Sequence, residues 1–243
     1  MDYTIIGLYL AIIGIVLATV YWLVPKELII NYFKNYSVKS YVEKINLRSE
    51  FRVAIVDDEI DSYPVSYIKE LNFSVKEYES VSFAHSAELI KNDLLLLDVK
   101  GVVKEDLEEG GAKLIKIIKE ARPFLPVVAV SSGYFHTELN DYFKSSDATL
   151  NKPINEYKIR ELIYELKKEF FDAGFISINI ERSIKRLELT AYKKNKLNKY
   201  VIDFLSGKCE EHVFVNFVHQ QAMGESQEII KNSKILLDRI SND

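Results

Sequence analysis

The chain has 243 residues, with 32 Lys and Arg against 36 Asp and Glu and a formal net charge of −4. That near balance gives no global bias toward polyanions, and 5 Pro with 9 Gly argue against a long disordered linker. A single cysteine, Cys209, excludes an internal disulfide and suits a reducing compartment, while the length allows one large domain or two modest ones.

The N-terminus is apolar. Thr4 to Val24 contains no charged residue, and as a helix it would be about 32 Å long, enough for the hydrocarbon core of a bilayer. No Lys or Arg precedes it, as a signal peptide would require, and it ends in Tyr21-Trp22, residue types that suit a membrane interface. The expectation is an uncleaved, single-pass membrane anchor over 1–25. Lys26, Lys34, Lys39, Lys44 and Arg48 follow it, so the positive-inside bias puts the main body in the cytoplasm. Gly7, Ala11, Gly14 and Ala18 fall on one face, where a second helix can approach closely; a homodimer is expected on that basis, although small residues are common in membrane helices. Leu28, Ile29, Tyr32, Phe33, Tyr36 and Tyr41 then recur at roughly helical spacing. They predict a juxtamembrane helix or linker over 26–50, either a signalling helix or a spacer at the interface.

From residue 51 the pattern changes to short apolar runs separated by helical patterns, which read as parallel strands buried on both faces. Phe51–Val56 stops at Asp57-Asp58-Glu59, and Leu94–Leu97 stops at Asp98. Pro126–Val130 stops at Ser131-Ser132-Gly133, and Ala148–Asn151 stops at Lys152-Pro153. Ligands of such sheets bind outside the carboxyl ends of the strands. Three acids, a hydroxyl and an ammonium would converge there, a set that fits a divalent cation and a phosphoryl group. Any one strand-end acid alone is as well explained as a helix N-cap.

Taken together, over roughly Phe51 to Phe171, these residues resemble the response-regulator receiver domains of two-component signalling. The Val-Asp-Asp-Glu after the first strand, the lone Asp after the third, the Ser after the fourth and the Lys-Pro after the fifth occur in that family's order. The resemblance implies an α/β fold, a doubly wound five-stranded parallel sheet of flavodoxin-like type over 51–172. It implies Asp98 as phosphoacceptor, Mg²⁺ held by Asp57, Asp58, Asp98 and the Lys100 backbone carbonyl, and phosphate contacts from Ser131 and Lys152. A cis Lys152-Pro153 bond is implied as well. The physical chemistry agrees: a carboxylate can attack a phosphoryl group, and Mg²⁺ takes oxygen ligands and keeps several waters. The partner implied is a sensor histidine kinase or another phosphodonor, and no metabolic reaction is implied.

The chain also departs from the family. Val102 and Asp106 stand where a Pro and a Gly are usual, Gly110-Gly111 arrive late, and the intervening loop carries Glu105, Asp106, Glu108 and Glu109. Thr149 replaces the aromatic that usually relays activation. A phosphorylation-independent scaffold, or an effector assembling partners at the membrane, is therefore the alternative expectation.

After Phe171 only helical periodicity remains, and 173–243 reads as a helical C-terminal region. Ile180, Ile184, Leu187 and Ala191 trace one stripe; Leu197, Val201, Phe204 and Leu205 trace another, with Gly207 as a C-cap. Helices are expected around Glu210–Met223 and Glu225–Ile240. Between Arg182 and Lys199, Arg182, Lys185, Arg186, Lys193, Lys194, Lys196 and Lys199 meet one acid, Glu188. That run reads as a solvated helix face, or as a contact for the anionic inner leaflet; nucleic acid is not the expected partner. Cys209, His212 and His219 match no zinc spacing, and His85 and His136 have no nucleophile beside them.

Overall fold

A computed structural model describes residues 3–23, 34–131 and 144–243. Expectations for Lys26, Leu28, Ile29, Tyr32 and Phe33, and for Ser132, Gly133 and His136, lie outside the described residues. Helix α1 covers Tyr3–Leu23, 21 residues without a charge. Its described side chains are those of 6–16, 18 and 19. Among the described residues no helix is long and apolar enough to cross a membrane, so the expected span is not shown.

The centre is a five-stranded parallel sheet in the order β2-β1-β3-β4-β5. Its strands are β1 (Arg52–Val56), β2 (Ser74–Tyr78), β3 (Leu94–Asp98), β4 (Val127–Ser131) and β5 (Ala148–Asn151). That order is the flavodoxin-like one. Alternate residues serve opposite faces, as the two-residue repeat of a strand requires. Val53, Ile55, Leu94, Leu96, Val128 and Val130 join one core with Ile68, Ile159 and Ile163. Ala54, Val56, Leu95, Leu97, Val127 and Ala129 join the other with Leu89, Leu114, Ile115 and Ile118. Helices α3 (Val65–Glu70) and α6 (Glu156–Phe170) cover the first face; α4 (Ser86–Leu89) and α5 (Gly110–Ala121) cover the second. All five residues of β3 are buried because it has neighbours on both sides, whereas edge strand β2 is half exposed.

Four helices follow: α7 (Ala173–Arg186), α8 (Ala191–Leu205), α9 (Glu211–Gln221) and α10 (Ser226–Ser241). Side-chain oxygens of Asp172 and Thr190 cap α7 and α8, supplying acceptors for otherwise unpaired N–H groups. Gly207 follows α8 at φ +72°, the left-handed position expected of a C-terminal cap. Of the expected stripe, Ile180, Ile184 and Leu187 are buried and Ala191 is exposed. Between Lys34 and Glu50 the regular element is α2 (Val38–Val42), five residues long. Val38 and Val42 are buried in the same core as Ile180, Val201, Phe214 and Leu236. The segment ahead of the sheet is thus part of the C-terminal helical core rather than a spacer standing apart.

The helical unit docks on the pole of the sheet opposite the strand carboxyl ends. Arg122, which caps α5 and is 7 % exposed, donates through Nε to Asp238 of α10 at 3.0 Å and through Nη1 to the carbonyls of Ile90 and Asn92 at 2.7 and 2.8 Å. Asp93, just before β3, is gripped by Arg48 and Arg52. Arg239 of α10 lies 4.0 Å over the Phe171 ring and donates to the Arg48 carbonyl. Removing one member of a buried, hydrogen-bonded ion pair leaves its partner uncompensated. Arg122→Ala is therefore expected to destabilise the protein by about 3–5 kcal/mol, measured by urea denaturation. A loss within a few tenths of a kcal/mol would show that the pair does not bind the units together.

Candidate functional site

Parallel register sets the site. Asp57 follows β1, Asp98 ends β3, and Lys152 follows β5, so all three lie at one edge of the sheet. Val56 pairs with Leu97, which puts Asp57 beside Asp98. Asp57 is fully buried and Asp98 is 8 % exposed, while Asp58 is exposed. Ligand oxygens of Asp57, Asp58 and Asp98 lie within 4.8 Å of one another.

Three carboxylates so close repel one another unless a cation intervenes. The Lys152 ammonium fills that role, donating to Asp57 Oδ1 at 2.8 Å, Glu59 Oε2 at 2.9 Å and Asp98 Oδ2 at 3.0 Å. Its three protons then have three acceptors. Burial by itself would lower the Lys152 pKa, but the bonds to Asp57, Glu59 and Asp98 outweigh it and hold the ammonium above the usual lysine range. The opposite balance holds at Asp98: burial, with the neighbouring charge of Asp57, pushes its carboxyl above the usual range despite Lys152.

Tyr63 escapes sequence reasoning, and Glu59 stands in the acidic run with no role assigned to it. Tyr63 donates from its hydroxyl to Asp57 Oδ2 at 2.7 Å, and Glu59 supplies both a carboxylate to Lys152 and its backbone N–H to Asp57 Oδ1 at 2.8 Å. Burial, then the Asp57 charge, raises Tyr63 far above the usual phenol range, so it remains a neutral donor. Asp57 Oδ1 thus accepts two hydrogen bonds and Oδ2 one, which leaves Oδ2 with capacity for a cation. Hard oxygen donors at this spacing suit Mg²⁺.

The remaining expected residues are placed as follows. Ser131 ends β4 half-buried, and its carbonyl accepts from the Lys152 N–H at 2.9 Å; the Lys152-Pro153 bond is cis. The Lys100 N–H donates to Asp98 Oδ1 at 3.3 Å while its side chain pairs outward with Glu108. Thr149 is exposed on β5. The unusual loop after Asp98 has its own order. Val102 and Val103 are fully buried, Val81 and Val103 form a parallel bridge, and Asp106 accepts from the N–H groups of Glu108 and Glu109 while pairing with Lys113. Gly101 has φ +77°, and a Cβ there would lie 3.0 Å from Asp58 Oδ2. At Gly111 a Cβ would lie 2.4 Å from the Asp98 carbonyl oxygen, closer than any side chain tolerates. Glycine at 111 is what lets α5 begin against the backbone of Asp98.

Among the described residues, Asp57, Asp58 and Asp98 form the only group of three potential metal ligands. Cys209 and His212 contact Glu210 instead.

No protein-family model and no curated protein matches the chain. Among solved structures it is similar to a two-component response regulator from Clostridium difficile, at 17% identity and TM-score 0.42, over 51% of this chain and 100% of that one. It is also similar to a CheY-like response regulator receiver domain protein from Methanospirillum hungatei JF-1, at 26% identity and TM-score 0.39, over 50% and 99%. A third is the BeF3-activated DrrB receiver domain, at 18% and TM-score 0.39, over 48% and 97%. The fold assignment stands on the strand order and register, not on these values.

Two outcomes test the site. Tyr63→Phe leaves a buried carboxylate oxygen without its donor and is expected to cost about 1–3 kcal/mol in urea denaturation; no loss would mean that water replaces the hydroxyl freely. For Asp98, a carboxyl raised in the folded state contributes stability that is present below the unfolded pKa and lost as pH rises through the folded one. Asp98→Asn is therefore expected to raise the melting temperature of metal-free protein at neutral pH, with an advantage over wild type that grows upward from about pH 4. Mg²⁺ should stabilise wild type and reverse that order, because a ligand that binds only the native state raises its stability. A wild-type melting temperature indifferent to millimolar Mg²⁺ would sink the metal site.

Proposed function

We propose that this chain is a membrane-tethered receiver protein that takes a phosphoryl group on Asp98, with Mg²⁺ bound, from a sensor histidine kinase or a small phosphodonor. The observation that carries the reading is the cluster of Asp57, Asp58 and Asp98 with Lys152 closing it at 3.0 Å or less. Asp57, Asp58, Asp98 and the Lys100 carbonyl would hold the metal. The ion supplies neutralisation of the transferred oxygens, which is most of what phosphoryl transfer needs. Asp98 is the nucleophile of choice because it is the half-free carboxylate of the buried pair: its Oδ1 has only a long bond to the Lys100 N–H. When a phosphoryl oxygen arrives, Lys152 can exchange an Asp98 contact for it as a point charge. Ser131, at the neighbouring strand end, is assigned the other phosphoryl oxygen. The chemistry is acyl phosphate formation and its hydrolysis, not turnover of a metabolite.

Tethering is supported by α1, whose described large side chains Leu8, Tyr9, Leu10, Ile12, Ile13, Ile15 and Val16 are all exposed on an uncharged helix. Water is a poor solvent for such a face, and lipid is a good one. We place the main body in the cytoplasm on the basic residues that follow. Gly7 and Gly14 have open space around them, which leaves room for a second copy through that face.

Output through the helical tail has a physical route in α5. One end abuts the Asp98 carbonyl through Gly111, and the other reaches Arg122 and, through it, Asp238 of the tail. A rigid helix in contact with both can transmit a displacement between them. The scaffold reading keeps one observation in its favour: Thr149 offers no aromatic to swing inward.

The test is chemical. Full-length protein in detergent, given acetyl phosphate and Mg²⁺, is expected to gain one acid-stable, hydroxylamine-labile phosphoryl group that Asp98→Ala lacks. Lys152→Ala is expected to accept the group without the accompanying change in hydrogen exchange. If wild type takes up no phosphoryl group and beryllofluoride alters exchange nowhere, the scaffold reading replaces this one.

A further inference from the structure

We infer that the end of the helical tail where α7 stops and α8 starts is a docking face for an anionic phospholipid surface, an inference that rests on the tethering proposed above. Arg182, Lys185, Lys193 and Lys196 are exposed there, with Lys194 half-buried beside them. Among the described residues none of the five has a carboxylate partner. Arg182 donates to Asn179, Lys194 to the Lys185 carbonyl, and Lys196 lies over the Phe217 ring. Their neighbours Arg186 and Lys199 are paired, with Glu225 and Asp203. Cations gathered around one helix junction without carboxylate partners are the charge pattern that an anionic leaflet attracts, within about a Debye length.

The second observation is where the N-terminal segment lies. Chain 34–39 lies against these same two helices, on the flank of α8 that carries Asn195 and Asn198, and is stitched to them by side chains. Asn195 accepts from the Tyr36 N–H at 2.7 Å and donates to the Lys34 carbonyl at 2.8 Å; Asn198 donates to the Tyr36 carbonyl at 3.0 Å. Glu181 of α7 accepts from the Ser37 hydroxyl at 2.7 Å. Lys34 is eleven residues beyond the end of α1, so even a fully extended chain keeps it within about 40 Å of that helix. A body pinned by Asn195 and Asn198 to the chain that leads from an apolar helix keeps α7, α8 and their lysines within reach of the surface that holds that helix. The acids of residues 181–203, Glu181, Glu188 and Asp203, include two that are already engaged, by Ser37 and Lys199.

The experiment uses the full chain in phosphatidylcholine vesicles with and without phosphatidylglycerol, and reads amine acetylation lysine by lysine by mass spectrometry. Labelling of Lys185, Lys193 and Lys196 is expected to fall several-fold on the anionic vesicles and to recover in molar salt, while Lys69 and Lys76 of the receiver keep their rates. The double variant Lys193→Glu/Lys196→Glu, checked for native circular dichroism, should lose the contrast at Lys185. Equal labelling on both vesicle types, with the protein floating with both, overturns the docking face and spares the tether. A chain that fails to float with neutral vesicles overturns the tether itself. Stronger protection of the same lysines by duplex DNA than by anionic lipid, at equal salt, overturns the lipid assignment in favour of nucleic acid.

Discussion

One ammonium holds the functional end of this molecule together. Asp57 and Asp98 are carried into the interior by strands that are buried on both faces, and the sheet gives them no choice of position. Their mutual repulsion in a medium of low dielectric is a cost that the fold must offset locally. Lys152 does so with all three of its protons, and Glu59 and Tyr63 complete the shell. The balance is uneven, since Asp98 retains a raised pKa while the Lys152 ammonium is stabilised. A site with that residual strain gains from any added cation, and gains most at the carboxylate with the fewest bonds. The attraction for a cation and the uneven bonding of Asp57 and Asp98 thus share one electrostatic origin.

The same site is tied to distant packing through backbone contact rather than through side chains. The Gly110-Gly111 pair lets α5 approach β3 and its neighbouring loop so closely that a methyl group at 111 would collide with the Asp98 carbonyl. At its far end the helix is fixed by Arg122, whose bonds join the carbonyls of Ile90 and Asn92 to Asp238. Packed interiors pass on small displacements because they have little free volume to absorb them. The buried ion pair at the joint also sets register, as an apolar contact would not, since a slip of either helix leaves a charge uncompensated.

Much of the sheet was readable in the sequence, and the reason is physical. Strands β1, β3 and β4 are largely apolar runs that stop at Asp57, Asp98 and Ser131, while edge strand β5, in which only Leu150 is buried, was marked by the Lys152-Pro153 that follows it. Strand β2 was not, because an edge strand needs no apolar run: Ser74-Val75-Lys76-Glu77-Tyr78 is half exposed, and its order comes from pairing with β1. The acids and the lysine were visible as a pattern, whereas Tyr63 was not and Glu59 carried no assigned role, since what both do depends on a turn that folds back over Asp57. Val38 and Val42 were hidden for a similar reason. Two valines in a five-residue helix carry no periodic signal, and their burial depends on helices more than 130 residues away.

The departures after Asp98 follow from the same constraints. In the family that the sequence resembles, a Pro and a Gly would shape that connection by restricting and freeing the backbone locally. Here the same path is fixed by burial of Val102 and Val103, by the bridge to Val81, and by the N–H groups that Asp106 gathers. The side chains of Asp106, Glu108 and Glu109 are turned outward onto Lys100 and Lys113, and Glu105 accepts from the Phe83 N–H, so they add little charge to the pocket. Gly101, in the left-handed region, keeps the space beside Asp58 clear. These residues keep the space beside Asp58 clear and bring α5 against the carbonyl of Asp98. The same close approach at Gly111 starts a helix whose other end is held by Arg122, so one packed element touches both the Asp98 carbonyl and Asp238.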